Sequence, residues 1–425
     1  MLCLFLCTGC EKRTLVLWTD IPEFVLYVQL FNTAQNTYKI EAREIRGLAQ
    51  ELIFASRDKK NRVDIAAGKW LKTAALASFW QKTDFVFDKK NITKKMFYAP
   101  LLNFGQNGRE QILLPLSFNL GALVSLTHNS RAESESGEES QIFITLDEIR
   151  KRGTAFNRNV KGAYTRMGFS PTWNWNGDFL YAAAELSGAA FREEAPFAWD
   201  ETALESVIGE FRTWLNKENG GAAAEDDFIF KYSYEPVERL VDRERILFTY
   251  MKSNSFFALP AEELNRLDYR WLWDASGGSK KIPVLEDIVM LGITKRCAAK
   301  GAAAAFLRWL YAEGTQKDLL TKGKGVYINE TSFGICGGFS AVRSVTESVF
   351  PQAYPAFLSH IPPEDYLLAP NPLPANWPEI KERIVVPYIR ERVKNTGEAD
   401  VRDLRPRLAD WLRINNRGLQ FHQQR

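Results

Sequence analysis

Hydrophobic positions near the start of the chain switch between two periods. "RTLVLWTD" is a β-branched and aromatic run suited to a buried strand, and "IPEFVLYVQLFNTAQNT" follows with helical spacing and Pro22 near its start. "YKIEARE", "GLAQELIFAS" and "RVDIAAG" then read as strand, helix and short buried strand. Strand–helix–strand–helix–strand at this spacing predicts a parallel sheet with right-handed crossovers, so the first hundred residues read as a doubly wound α/β lobe. "REQILLPLSFNLGALVSL" carries two apolar runs broken by Pro115, which read as two strands.

Beyond residue 130 the pattern is mainly helical. "TLDEIRKRG" places Thr145 three residues before Glu148, a capping box, with Gly153 as the expected stop. Residues 200–216 align Leu204, Val207, Ile208, Phe211, Trp214 and Leu215 on one helical face. The acidic "RAESESGEES" (131–140) and the later "ENGGAAAEDD" read as loops. "KRCAAKGAAAAFLRWLYAEGTQKDLL" reads as one amphipathic helix with Ala298, Ala302, Phe306, Trp309 and Leu310 to one side. "NWPEIKERIVVPYIRERVKNTGEADVRDLRPRLADWL" predicts terminal helices kinked or interrupted at Pro387 and Pro406.

Composition narrows the classes. A length of 425 residues suits two lobes. The near balance of 55 basic and 52 acidic residues, without a basic block, argues against nucleic acid as a partner. Beyond Cys10 only Cys297 and Cys336 remain, too few for a disulfide scaffold or a structural zinc site, and no metal or cofactor is expected. Those two either pair outside the cytoplasm or stay as buried thiols. No His-Glu-x-x-His, Gly-x-Ser-x-Gly or phosphate-cradling glycine loop occurs, and His128, His360 and His422 are the only histidines. No catalytic residue is assigned, and an enzyme is not expected. A carboxylate-pair glycosidase stays open, because its two acids need not be close in the chain.

The opening "MLCLFLCTGCEKR" is too short to span a bilayer, which takes about 20 apolar residues. A short apolar core ending in small residues reads as a processing signal. Leu6-Cys7-Thr8-Gly9-Cys10 resembles the lipobox of bacterial lipoproteins. The resemblance implies a signal segment over 1–9, a lipidated Cys10, and a periplasmic or other extracytoplasmic location with that lipid as the only membrane contact. An odd start codon or a buried N-terminal segment is the other reading.

Several longer stretches resemble the solute-binding proteins of bacterial ABC importers, in the group that includes the maltose-binding protein. "TLVLWTD" looks like that family's opening strand, and "RVDIAAGKW" is similar to its third strand and following loop. "IVMLGITKRCAAKGAAAAFLRWLYAEGTQKDLL" resembles its return strand and helix, and "NPLPANWPEIKERIVVPYIRERVKNTGEADVRDL" its C-terminal helical pair. "ILFTYMKSNSFFALPAEE" departs from the family pattern. The resemblance implies a type II periplasmic-binding-protein fold, two α/β lobes hinged over a ligand cleft. Lobe 1 would take 10–117 plus about 285–338, and lobe 2 about 118–284 plus 339–425. The implied function is a monomeric, lipid-anchored subunit that captures a small solute, expected to be a carbohydrate, by lobe closure and delivers it to permease subunits. A surface lipoprotein that binds a peptide or host partner is the alternative.

Ligands in such sheets sit outside the C-terminal ends of strands. That singles out Trp18, Thr19 and Asp20 after the first strand, or else Trp18 as core and Asp20 as a helix cap. Gly68, Lys69 and Trp70 follow the third strand, as ligand contacts or as a plain turn. In "SPTWNWNGDF", extended backbone would put Trp173 and Trp175 on one face, Asn174 and Asn176 on the other, with Asp178 beyond. Aromatic faces with amide and carboxylate neighbours suit a sugar, an apolar ring face with a rim of hydroxyls; a helix-start staple is the plainer reading. Trp377, in "PANWPEI", falls where the family carries a cleft-facing aromatic. Trp271 and Trp273, in "YRWLWD", are assigned to a strand.

Overall fold

The computed structural model describes residues 14–58, 61–88, 91–131, 142–194, 197–274, 280–322, 332–395 and 403–421. The lipobox and the acidic 132–141 segment therefore lie outside the described residues, as does the Cys10 assignment. The chain divides into two compact units, Met1–Phe118 with Asp287–Ala353, and Asn119–Glu286 with Tyr354–Arg425.

Unit 1 opens as its hydrophobic pattern predicts. β1 (Thr14–Thr19), α1 (Glu23–Ala34), β2 (Lys39–Glu44), α2 (Leu48–Arg57) and β3 (Ile65–Gly68) follow in order, and β1 pairs in parallel with both β2 and β3. β4 (Leu113–Phe118) then leads out of the unit. The predicted break at Pro115 does not occur: Pro115 lies inside β4, and the strand ends at Phe118. A proline has no N–H to give a ladder, and the register slips beside it, Ser117 facing Val289 and Pro115 facing Met290.

Unit 2 holds β5 (Gly121–Leu126) and β6 (Phe143–Ile144), then α3 (Leu146–Phe156), α4 (Phe179–Leu186), α5 (Glu201–Glu218) and α6 (Ala222–Tyr232), with β7 (Thr249–Lys252) and β8 (Leu267–Leu272) closing a sheet ordered β7-β5-β8-β6. The capping box at Thr145 is present, with Glu148 N–H donating to the threonine hydroxyl at 3.2 Å. Gly153 does not stop α3. Its backbone lies against Gly168, where an added Cβ would come within 2.3 Å of the Gly153 carbonyl oxygen, so this glycine pair serves a close approach. All six apolar residues expected on α5 are buried. "GGAAAEDD" is not a loop: after the two glycines it forms α6, an alanine-rich start that helix propensity favours.

The chain returns to unit 1 with β9 (Val289–Ile293), antiparallel to β3 and β4. The single long helix read after it is two, α7 (Lys300–Tyr311) and α8 (Glu313–Lys322), separated at Ala312, whose backbone is extended. β10 (Phe339–Ser340) pairs with β4, giving a six-stranded sheet ordered β10-β4-β9-β3-β1-β2. Residues 339–353 thus belong to unit 1, against the boundary at 338 expected from sequence, because Phe339 and Ser340 extend that sheet.

In the last passage through unit 2, Pro387 widens a helix where a kink or break was expected. A π turn over Lys381–Val385 precedes α9 (Val386–Lys394), which moves the proline ring away from the carbonyl it would crowd. A second π turn, Val345–Val349, stands in the same relation to Pro351 in unit 1. Pro406 falls in the first turn of α10 (Leu404–Phe421), where its missing N–H has no helical partner to lose.

Candidate functional site

In unit 1 the ends of β1 and β3 lie side by side, Thr19 facing Ala67. This brings Asp20 to Gly68 and Lys69. The Lys69 backbone N–H donates to Asp20 Oδ1 at 3.3 Å, and an added Cβ on Gly68 would stand 2.1 Å from that same oxygen. Gly68 is therefore the space in which the Asp20 carboxyl sits. Burial pushes that carboxyl up to about 6, against the pull of the Lys69 N–H and ammonium. Burial alone would lower the Lys69 pKa, yet it is raised, because Asp287 Oδ2 lies 2.9 Å from its Nζ, with Asp20 and Glu23 adding to the field. Trp70 follows with φ of 61°, a left-handed conformation that an aromatic residue holds at a cost of order 1–3 kcal/mol. Its ring remains half-buried.

Three of the six residues expected here, Trp18, Thr19 and Gly68, are interior. Trp18 is 8% exposed, and Thr19 is fully buried with its hydroxyl accepting the Ile21 N–H at 3.0 Å. Trp18 and Thr19 are buried with the rest of β1 after Thr14. Asp20, Lys69 and Trp70 are the residues of this end that retain accessible surface.

In unit 2 the alternation in "TWNWN" does not build a strand. Asn174–Asn176 form a single 3₁₀ turn, which points Trp173 inward and leaves Asn174 exposed. Trp173 is fully buried, stacked on Phe228 at 5.9 Å and near Phe169 at 5.8 Å. Trp175 stays half-buried against it at 5.0 Å. Asn176 is buried too, its carbonyl accepting from the Thr249 hydroxyl and the Tyr250 N–H, each at 3.0 Å. Trp377 is likewise interior, wedged among Phe197, Tyr181 and Phe191 at 5.3, 5.4 and 5.8 Å. Neither Trp173 nor Trp377 offers a face to a ligand as placed; their rings complete aromatic packing that periodicity could not reveal.

Asp178 does occupy a charged centre. It takes Lys252 Nζ at 2.6 Å and Lys381 Nζ at 2.9 Å, while Lys381 also reaches Glu286 at 2.5 Å. Burial would raise its carboxyl, but Lys381 and Lys252 outweigh it and hold Asp178 at about 2. Glu286 and Asp287 are consecutive, one held by Lys381 within unit 2 and the other by Lys69 within unit 1. Sequence reasoning missed Lys252, Glu286 and Lys381, which are far apart in the chain.

It also missed Glu225, in the segment read as a loop. Fully buried, this carboxylate accepts from Asn219 Nδ2 at 2.9 Å and from the Thr172 hydroxyl. Asn219 in turn donates to the Phe169 carbonyl at 3.1 Å, so the loop carrying Trp175 hangs on a polar lattice. Both thiols, Cys297 and Cys336, are buried and unpaired. Among the described residues no group of three His, Cys, Asp or Glu could hold a metal ion, and no helix is long and apolar enough to cross a membrane.

No family model matches this chain, and no curated protein matches it. Its architecture does match solved structures. The sugar-binding protein MalE from Xanthomonas citri aligns with a TM-score of 0.62 at 13% identity, over 96% of this chain and 99% of that one. The cyclic α-maltosyl-1,6-maltose binding protein from Arthrobacter globiformis gives 0.61 at 16%, over 92% and 96%. A Listeria monocytogenes ABC substrate-binding protein in complex with cycloalternan gives 0.60 at 12%, over 95% and 99%. The chain thus has the two-lobed α/β fold of periplasmic binding proteins, as the resemblance of its sequence implied.

Proposed function

We propose that this chain is the extracytoplasmic solute-binding subunit of an ABC importer and that its solute is a carbohydrate. The observation that supports this most is the extent of the match: the fold runs over nearly all of both chains in proteins whose names specify sugars. The residues fit the chemistry. Each unit carries such residues by itself: in unit 1 Trp70 keeps part of its aromatic surface free, Asp20 and Lys69 supply charged hydrogen-bonding groups and Gly68 makes room for Asp20, and in unit 2 Trp175 is half-buried and Asp178 supplies a carboxylate. A sugar takes that combination, stacking its apolar face and bonding its hydroxyl rim.

The same proposal includes delivery to permease subunits, action as a monomer, and tethering through lipidated Cys10. It includes no turnover, since binding and not bond cleavage is what the proteins of like fold are named for. Isothermal titration of the chain from Lys12 onward with maltotetraose and cyclic maltosaccharides tests it, with chromatography of the sugars afterwards. The expected result is saturable binding, unchanged sugar, and a stabilisation of about 2.7 kcal/mol at a hundredfold excess over the dissociation constant. Absence of binding across such a panel, or hydrolysis products, overturns the proposal.

A further inference from the structure

Unit 2 contains a cavity of about 240 Å³ at the face of α4. At about 30 Å³ of liquid volume per water, that is room for roughly eight waters or a compact organic molecule. Asp178, Tyr181 and Glu185 line it from one side of the helix, spaced three and four residues apart, and Val284, Leu285, Leu368 and Pro370 give it an apolar wall. We propose that this cavity is a binding pocket for the ammonium group of a small aliphatic amine, with Glu185 and Tyr181 as its acceptors.

The polar groups of the cavity differ in whether they already have partners. Asp178 and Glu286 are matched by Lys252 and Lys381. Glu185 is not matched by any lysine or arginine among the described residues; its one hydrogen bond is from the Phe191 N–H, at 2.8 Å to Oε1. Tyr181 is 4% exposed, and its hydroxyl makes no hydrogen bond among the described residues, although the carboxylates of Glu185, Glu286 and Asp178 all act on it. The Tyr181 hydroxyl, the Lys281 ammonium and the Asn371 amide are donors on its wall, so what the pocket lacks among the described residues is a cation paired to Glu185. A primary ammonium brings a positive charge and three N–H donors to that carboxyl, whereas an uncharged hydroxyl brings one O–H and no charge. The apolar wall suits a short alkyl chain.

Charge balance follows. Burial first, and Glu286 in addition, hold Glu185 up to about 8, so near neutrality it carries a proton. An arriving ammonium displaces that proton to solvent, leaving an ammonium–carboxylate pair and no change in net charge. The other charged or titratable groups facing this region are Asp178 and Tyr181 on the same helix, Tyr250 and Lys252 from β7, Lys281 and Glu286, and Lys381, whose Nζ lies 5.4 Å from the Tyr181 ring centre.

Titration calorimetry with n-butylammonium chloride, and with 1-butanol as the uncharged analogue, tests the pocket with and without maltotetraose present. The amine is expected to bind in both cases, roughly tenfold tighter for each pH unit from 6 toward 8, with proton release measured from the buffer dependence of the heat. Glu185→Gln keeps the side chain's shape and should abolish the pH slope and weaken binding at least tenfold. Tyr181→Phe should weaken binding several-fold and leave the slope. Binding of 1-butanol as tight as the amine, a flat pH profile, unaltered binding by both variants, or no binding overturns the inference. Sugar binding is read separately, so its failure leaves this result standing.

Discussion

Asp20→Asn is the substitution that most directly probes the end of β1. Burial holds the Asp20 carboxyl up to about 6 in the folded protein, against 3.8 for a free aspartate. At 1.36 kcal/mol per unit this is about 3 kcal/mol of instability carried by the ionised carboxylate. The sign is that of a raised carboxyl. Between 3.8 and about 6 the folded chain holds a proton that the unfolded chain has lost, so stability falls as pH rises through that window and levels off above it. Asparagine keeps an oxygen for the Lys69 N–H and carries no charge to bury. The variant should therefore match the parent near pH 4 and exceed it by up to about 3 kcal/mol above pH 7, a figure already net of the Lys69 attraction. Urea unfolding at several pH values, followed by tryptophan fluorescence, measures the difference, and other titrating groups cancel between the two proteins. A difference constant with pH, or one that favours the parent above pH 7, refutes the reasoning. The same variant should bind maltotetraose more weakly, since an unstable charge kept in place is expected where it serves a ligand.

Gly68→Ala forces a methyl toward Asp20 Oδ1 at 2.1 Å and Leu48 Cδ2 at 2.6 Å. It should cost about 1–3 kcal/mol in unfolding experiments and displace the carboxyl, weakening sugar binding with it. Trp377→Ala opens the aromatic cluster of Phe197, Tyr181 and Phe191 and should cost about 3–5 kcal/mol by denaturant midpoint. Asp178→Asn removes a carboxylate held at about 2 by two lysines. Its contribution of about 2 kcal/mol is present above pH 4 and lost as pH falls through 2, so the variant's deficit at pH 7 should vanish in acid. In a chain begun at Lys12, a thiol reagent should find Cys297 and Cys336 silent until denaturant is added, because both are buried and unpaired.

What could be read from the sequence was local. β1, α1, β2, α2 and β3 appear where the alternation of periods placed them, because each element's burial repeats at its own period and the turns between them are short. The errors came where one residue's meaning depends on what lies across from it. Pro115 looked like a break and is absorbed by a register slip against β9; Gly153 looked like a helix stop and is a contact with Gly168. Pro387 looked like a kink and is accommodated by a π turn one helical turn earlier.

The candidate site divides along the same line. Asp20, Gly68 and Lys69 are found together because two adjacent parallel strands end there, a consequence of topology that strand order alone predicts. The tryptophans carry no such constraint. An indole ring is equally good material for a core and for a sugar platform, and only the partner decides: Phe228 covers Trp173, Phe197 covers Trp377, while Trp70 and Trp175 keep accessible surface. Ion pairs defeat sequence reading more thoroughly. Asp178, Lys252, Glu286 and Lys381 are drawn from four separate stretches, and each looks like an ordinary surface charge until its neighbours are known. Burial cost makes such a group informative, since an unpaired charge there would neutralise itself, as Glu185 does beside them. Within one helical face, then, the same low-polarity surroundings leave Asp178 ionised and Glu185 protonated, and the difference lies in where the two lysines reach.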